Sequence, residues 1–339
     1  MTRFSAPQLV LTLALALAFW AASAAACLAV GSSGQFGWPA DVYVLRVRAQ
    51  SVLLASLVGA ALAVAGVAYQ AVLRNPLADP YLLGVSSGAS LAAYLWRLPV
   101  GWAGLGAVAA ALSQQAFAFG GALAAVAVVF ALASRRGRLE PVTLLLVGVI
   151  VNAVNGSIFL FVNAIRPELA GQGGGPLAFL VGAIQTNYDP RQVAAAAVAC
   201  GLLFVGLLWL APQLNVAGLS EAEAQSLGVR IQRVRWTALL MASLMTALAV
   251  AVSGPIGFVG LICPHLARRL VGHDARRLLP LSAALGAVLL AVADTLSRVL
   301  IQELNTWLPV GVLTGLLGGP FFLYLLYRQR HAGALEDRA

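Results

Sequence analysis

The chain has 339 residues, 61% hydrophobic and only 10% charged, with a net charge of +9. A soluble domain is nearer about 45–50% apolar and ~25% charged, so the composition excludes a water-soluble globule and points to an integral membrane protein. All 21 basic residues are arginine; without lysine the chain can form neither a P-loop nor a Schiff base, so any ATP that drives it is bound by another subunit.

The N-terminal stretch has Arg3, an apolar run and Ala24-Ala25-Ala26 before Cys27, which suggests a signal peptide. Its apolar part, Pro7 to Val30, is too long for the core of such a peptide and reads as a first membrane helix. Further runs of spanning length give 51–73, 81–97, 114–133, 141–165, 191–211, 236–252, 256–270, 279–298 and 308–327, ten spans in all. The segment 98–113 either extends the third helix or lies at the interface, 177–186 is a short apolar piece after Gly173–Gly175, and 256–270 is short for a full span.

The arginines are scattered between these runs rather than gathered on one face, which argues against nucleic acid and for charges that orient the helices. With the N-terminus inside, fifteen arginines fall on the cytoplasmic side and six outside, a positive-inside bias that fits an even number of spans. Cys27, Cys200 and Cys263 lie in apolar segments without CxxC spacing and read as small core hydrophobes; nothing in the sequence calls for a metal or a cofactor.

In chain order, Arg74 to Ser90 (RNPLADPYLLGVSSGAS) comes first among the informative segments. Pro76 and Pro80 stop the preceding helix and Asn75 can occupy loose backbone groups, which predicts a tight turn at the membrane boundary. Gly84 to Gly88 matches the GxSxG nucleophile elbow and raises an intramembrane serine hydrolase using Ser86, with His265 as a conceivable base. The same residues are equally a GxxxG helix contact. Asn152, Asn155 and Asn163 keep to one face of the fifth span and suit a polar wall. In the longest internal loop, Ser220 is a good N-cap, Glu223 follows three residues later and Gly228 is a plausible C-cap. A short helix results, either a solvated loop element or a docking piece.

Gly254 to Arg269 (GPIGFVGLICPHLARR) packs three glycines and two prolines into an apolar run. In water such breakers cost several kcal/mol; in a membrane they are tolerated where neighbouring helices satisfy the freed backbone groups. Asp294 lies within the ninth span with Arg298 at i+4, a local pair. An ion-coupled secondary transporter would show inverted repeats and more membrane carboxylates, and neither is evident. Gly311, Gly315 and Gly319 form a ridge for close packing on the last span.

Five ordered blocks, LVGAALAVAG, RNPLADPYLLGVSSGAS, SEAEAQSLGV, GPIGFVGLICPHLARR and LPVGVLTGLLGGPFF, resemble the FecCD-type permease subunits of type II ABC importers for ferric siderophores, haem and cobalamin, from about Arg48 to Tyr327. The resemblance implies an all-α integral membrane protein of about ten transmembrane helices, one polytopic domain over 1–339. It further implies a homodimer in the bacterial inner membrane, both termini cytoplasmic, with two ATP-binding subunits and a periplasmic binding protein. No bond is made or broken by such a chain.

By residue-for-residue match, Ser220, Glu221, Glu223 and Gly228, in a region of about 218–235, would couple to the ATPase. Asn75 and Leu77 would form the cytoplasmic gate. A second gate element falls at Pro141 and Val142, where the family usually has small polar residues. Arg48 and Arg298 would meet the binding protein; the family often has another arginine where this chain has Ser51, and Arg46 can compensate. Asn152, Asn155, Asn163 and Arg166, with Gly311, Gly315 and Gly319 beside the dimer axis, would line the path. Ferric chelate is the leading cargo, then haem and cobalamin. His265 and His273 fall on the cytoplasmic side and do not argue for haem.

Overall fold

The computed structural model describes residues 6–31, 34, 36–96, 113–135, 138–165, 181–184, 190–218, 221–304 and 308–336. Arg166, Ser220 and the segment 98–112 lie outside the described residues. The described chain is almost wholly helical, as an apolar solvent requires, because a helix satisfies its own backbone.

Helix α1 is Ala6–Ala29, and α2, Val42–Leu73, has 32 residues, the longest among the described residues. A 3₁₀ turn, Pro80–Leu83, leads into α3, Val85–Leu95, and then α4, Gln114–Ala133. A two-stranded antiparallel hairpin, β1 Ser134–Arg135 and β2 Arg138–Leu139, precedes α5, Pro141–Ile165. Helices α6 (Pro190–Ala217), α7 (Glu221–Ser226), α8 (Ile231–Ser253), α9 (Val259–Val271), α10 (Ala275–Leu304) and α11 (Val310–Glu336) complete the chain.

Within the described residues, each of the ten predicted spans falls mainly on helix, though the eighth begins in the break at 256–258. Among the described residues, eight helices are long and apolar enough to cross a membrane; α3 and α9, at 11 and 13 residues, are about half-length. The second span starts nine residues earlier than the predicted Ser51, because the Asp41 side chain accepts from the Tyr43 N–H at 2.8 Å and caps the helix there. Arg46 and Arg48 therefore sit within α2 rather than in a loop. Arg235, expected among loop charges, lies in the second turn of α8 and is buried.

Helix α2 is the spine. It is buried along most of its length and packs against α10, α8, α9 and α6. Glycines permit these approaches. A Cβ on Gly59 would collide with the Gly286 carbonyl of α10, and one on Gly66 with the Gly260 carbonyl of α9. Gly88 and Gly121 bring α3 onto α4 in the same way. On α8, Ser243 Oγ lies 2.7 Å from Tyr69 Oη, a buried polar pair that fixes register.

Between α8 and α9 the chain breaks at Gly254–Phe258, with positive φ at Gly254 (69°) and, unusually for a bulky residue, at Phe258 (69°). Helix α9 begins deep in the bundle, beside Gly66, some 10 Å short of the end of α2. It runs about 20 Å to the arginine-rich end, finishing at Arg268 and Arg269. Pro264 cannot donate to the Gly260 carbonyl one turn back. Gln70 of α2 donates its Nε2 to that carbonyl instead, at 3.0 Å, and its Oε1 accepts from Arg268 Nη2.

Replacing Gly66 by Val should push α2 and α9 apart and cost about 1–3 kcal/mol or more. Gly201, where an added Cβ would meet nothing within 4 Å, is the control. Thermal unfolding in detergent should show a clearly lower midpoint for Gly66→Val and little change for Gly201→Ala.

Candidate functional site

The turn after α2 is built by its own side chains. Arg74 takes the left-handed conformation (φ 51°) and ends the helix, its N–H on the Gln70 carbonyl. The Asn75 Oδ1 accepts from the Leu77 N–H at 2.9 Å, and the Asn75 carbonyl from the Ala78 N–H at 3.1 Å. Asn75 does occupy loose backbone groups, as its place beside Pro76 predicts. Asp79 closes the turn: Oδ1 accepts from the Tyr81 N–H at 2.9 Å and Oδ2 from the Phe258 N–H at 3.1 Å. The loss of water around Asp79 pushes its carboxyl above the ordinary carboxylate range, while those two N–H donors pull it down.

This turn, the α8–α9 break and α11 enclose a cavity of about 520 Å³. Leu77, Tyr81, Pro255, Phe258, Leu261 and Phe322 give it an apolar wall, and Gly311 and Gly315 lie on the α11 side. Asp79 is the one ionisable carboxylate among the lining residues, and its oxygens are turned to backbone donors. Tyr81 and Pro255 also border a smaller, more polar pocket of about 210 Å³, with Ser86, Ser87, Ser90, Asn152 and Asn155.

The asparagine face of α5 has two duties. Asn155 Nδ2 donates to Ser87 Oγ at 3.0 Å and Asn152 Nδ2 to the Tyr81 carbonyl at 3.3 Å, both from the wall of the polar pocket. Asn163 Oδ1 accepts from Tyr94 Oη at 3.1 Å and ties α5 to α3. Pro141 and Val142 begin α5, Val142 is exposed, and neither lines the large cavity.

The glycine ridge of α11 divides. Gly311 sits against the Val181 carbonyl, where a Cβ would collide, and its N–H donates to the Gly182 carbonyl at 3.1 Å. Gly315 and Gly319 have nothing within 4 Å of a Cβ. Gly318, which the ridge pattern omits, is the seat of the Phe258 ring. The short apolar piece around 181–184 thus serves as packing for α11 and for the end of α8, where the Ala183 N–H meets the Ser253 carbonyl.

At the arginine-rich end, α7 spans Glu221–Ser226. Gly228 (φ 73°) ends it, with the Val229 N–H on the Ala224 carbonyl at 3.0 Å, the longer bond of a Schellman cap. Glu223 is exposed there. At the opposite end, Arg48 Nη1 donates to the Leu28 carbonyl at 3.0 Å, capping α1, while Arg298 pairs with Asp294 at 3.2 Å. Ser86 is buried on α3, and the His265 ring lies edge-on to Phe321.

Helices of spanning length around a cavity, a half-length helix starting inside the bundle and a capped turn beside it define a polytopic transport protein. The comparisons with known proteins make this specific. The chain belongs to the FecCD transport family, whose model matches residues 8–328. It is 40% identical over 316 residues to the cobalamin import system permease protein BtuC of Halobacterium salinarum, covering 89% of this chain and 78% of that one. To the hemin transport system permease protein HmuU of Yersinia pestis it is 41% identical over 286 residues, covering 84% and 83%. A solved metal-chelate type ABC transporter in an inward-facing conformation superposes with a TM-score of 0.77 at 28% identity, covering 95% of this chain and 99% of that one.

The protein is therefore the membrane permease subunit of an ABC importer, a transport component whose ATPase and substrate-binding protein are separate chains. The hydrolase and secondary-transporter alternatives fall with that membership.

Gly311→Val should lower the unfolding midpoint by disrupting the Val181 contact, whereas Gly315→Ala should leave it unchanged. Equal losses would show that both glycines pack within the chain.

Proposed function

We propose that this permease carries a metal chelate, ferric siderophore first and haem or cobalamin next, from a periplasmic binding protein to the cytoplasm. The single observation that carries the reading is the apolar cavity between the turn at Leu77 and the Gly311–Gly315 face of α11. Its wall offers a bulky chelate surface to slide along and few polar groups to hold it. The relatives' cargoes, cobalamin and hemin, are large ring systems carrying a metal, and the structural neighbour is a metal-chelate type transporter.

In this reading the chain acts as a homodimer, one polytopic unit over 1–339, in the bacterial inner membrane with both termini cytoplasmic. The arginine bias supports that orientation. Exposed apolar side chains on α11, such as Leu316, Leu323 and Tyr324, together with Gly315 and Gly319, form the two-fold contact and the path, with Asn152, Asn155, Asn163 and Arg166 on the α5 side. Asn75 and Leu77 are the gate, and Pro141 and Val142, at the start of α5, are its second element. The region about 218–235, with Ser220, Glu221, Glu223 and Gly228, docks on the ATPase. Arg48 and Arg298 anchor the outer helix ends and meet acidic residues of the binding protein. ATP-driven closure of the ATPase pair moves the docking helices and opens the cavity to one side at a time.

The test is uptake into vesicles containing the permease, its ATPase and its binding protein, offered ferric siderophore, haem and cobalamin in turn. ATP-dependent accumulation of one cargo is expected. Glu221→Arg should abolish ATPase docking and uptake, and Ser86→Ala should leave both intact. Failure of all three cargoes with an assembled, ATP-hydrolysing complex would overturn the chelate assignment.

A further inference from the structure

The turn that carries Asn75 and Leu77 is strung between two anchors. At one end, Arg74 Nε donates to the carbonyl of Ala217 at 3.0 Å. Ala217 is the last residue of α6 and is fully buried. Only residues 218–220 separate it from α7, a connection of four Cα steps that reaches no more than ~14 Å. At the other end, Asp79 holds the Phe258 N–H, the first residue before α9. Phe258 is in turn seated on Gly318 of α11, where there is no room for a side chain.

Between the anchors the turn has little internal freedom. The Asn75 side chain closes on the Leu77 N–H and the Asn75 carbonyl on the Ala78 N–H. Pro76 and Pro80 fix their own φ angles. A six-residue piece so braced moves with its ends. The carbonyl of Ala217 is also one of the orphan acceptors at the end of α6, so the Arg74 bond satisfies a group that lacks a helical partner.

We propose that Arg74 and Asp79 are the positioning residues of the gate: Arg74 transmits displacement of the α6–α7 junction to Leu77, and Asp79 holds the far end of the turn on the α8–α9 break. The inference rests on the reading that α7 docks on the ATPase and that Leu77 gates the path. Movement of α7 draws on Ala217, Ala217 on Arg74, and the braced turn swings Leu77 about the Asp79–Phe258 bond.

The substitutions separate geometry from charge. Arg74→Gln places an amide nitrogen where Nε stands and keeps the bond to Ala217 without the charge. Arg74→Met keeps the bulk and removes the donor. Asp79→Ala removes both acceptors. Each is made in the full complex with ATPase and binding protein, with Leu77→Cys as a reporter; the native Cys27, Cys200 and Cys263 are buried. Two readouts are taken: cargo moved per ATP hydrolysed, and maleimide labelling of residue 77 with and without trapped nucleotide.

With the parent, labelling should differ between nucleotide states. Arg74→Met should flatten that difference and cut transport per ATP by roughly fivefold, the scale of one lost hydrogen bond, while ATP hydrolysis continues. Arg74→Gln should restore both, and Asp79→Ala should flatten the labelling from the other anchor even if Arg74→Met fails to assemble. Nucleotide-dependent labelling and full coupling in assembled Arg74→Met or Asp79→Ala complexes would overturn the proposal. If labelling at residue 77 in the parent ignored nucleotide altogether, the gate assignment beneath it would fall first.

Discussion

The structure depends on how it satisfies the backbone of a helix that is broken inside the membrane. Low dielectric surroundings make each unpaired N–H or carbonyl cost several kcal/mol. The α8–α9 break creates two such groups, the Phe258 N–H at the start of α9 and the Gly260 carbonyl freed by Pro264. Asp79 takes the first and Gln70 the second. Both partners come from α2 or the turn after it, so the break can exist only where that stretch of chain lies alongside. The cavity, the gate turn and the half-length helix are consequences of one local arrangement.

That arrangement demands close backbone approach, which the small residues of α2 provide. Gly59 and Gly66 stand seven residues apart, close to two turns, and face α10 and α9 respectively. Dispersion contacts between backbones at such crossings replace the hydrophobic drive that lipid does not supply. Helices α5 and α11, by contrast, are lightly packed within the chain, and they bear the glycines and asparagines turned to the cavities. A rigid spine with loosely held walls suits a molecule that must change the shape of a passage without losing its fold.

How much of this was legible in the sequence follows from distance along the chain. All ten apolar runs emerged mainly as helix within the described residues, because hydrophobic length is a local property. The break at Gly254–Phe258, the Asn75 turn and the Gly228 cap were equally local. The start of α2 escaped because one Asp41 cap outweighed the apolar boundary. The roles of Gln70, Arg74 and Asp79 could not be read at all, since their partners lie 190, 143 and 179 residues away. Nor could spacing distinguish Gly311, which packs on Val181, from Gly315 and Gly319, which face open space, or reveal Gly318 as the seat of Phe258. Repeating glycines mark a ridge, but which side of it is occupied depends on the neighbours.

Helix α1 carries a consequence for the order of assembly. Its chief neighbour is α10, which begins roughly 250 residues after α1 ends. At ribosomal rates of ~5–20 residues per second, α1 waits in the bilayer for some tens of seconds before that neighbour is made. An amphipathic helix would be a hazard in that interval. Helix α1 is instead apolar round most of its surface and mostly unburied even in the finished fold. Two polar contacts tie it early to the next helix, Trp20 Nε1 to Ser56 Oγ and Arg48 to the Leu28 carbonyl, and a later one, Arg277 Nη1 to Gln8 Oε1 at 3.2 Å, comes with α10. Helix α1 is thus built to wait for its chief neighbour, and its biogenesis is written in the same composition that inserts it.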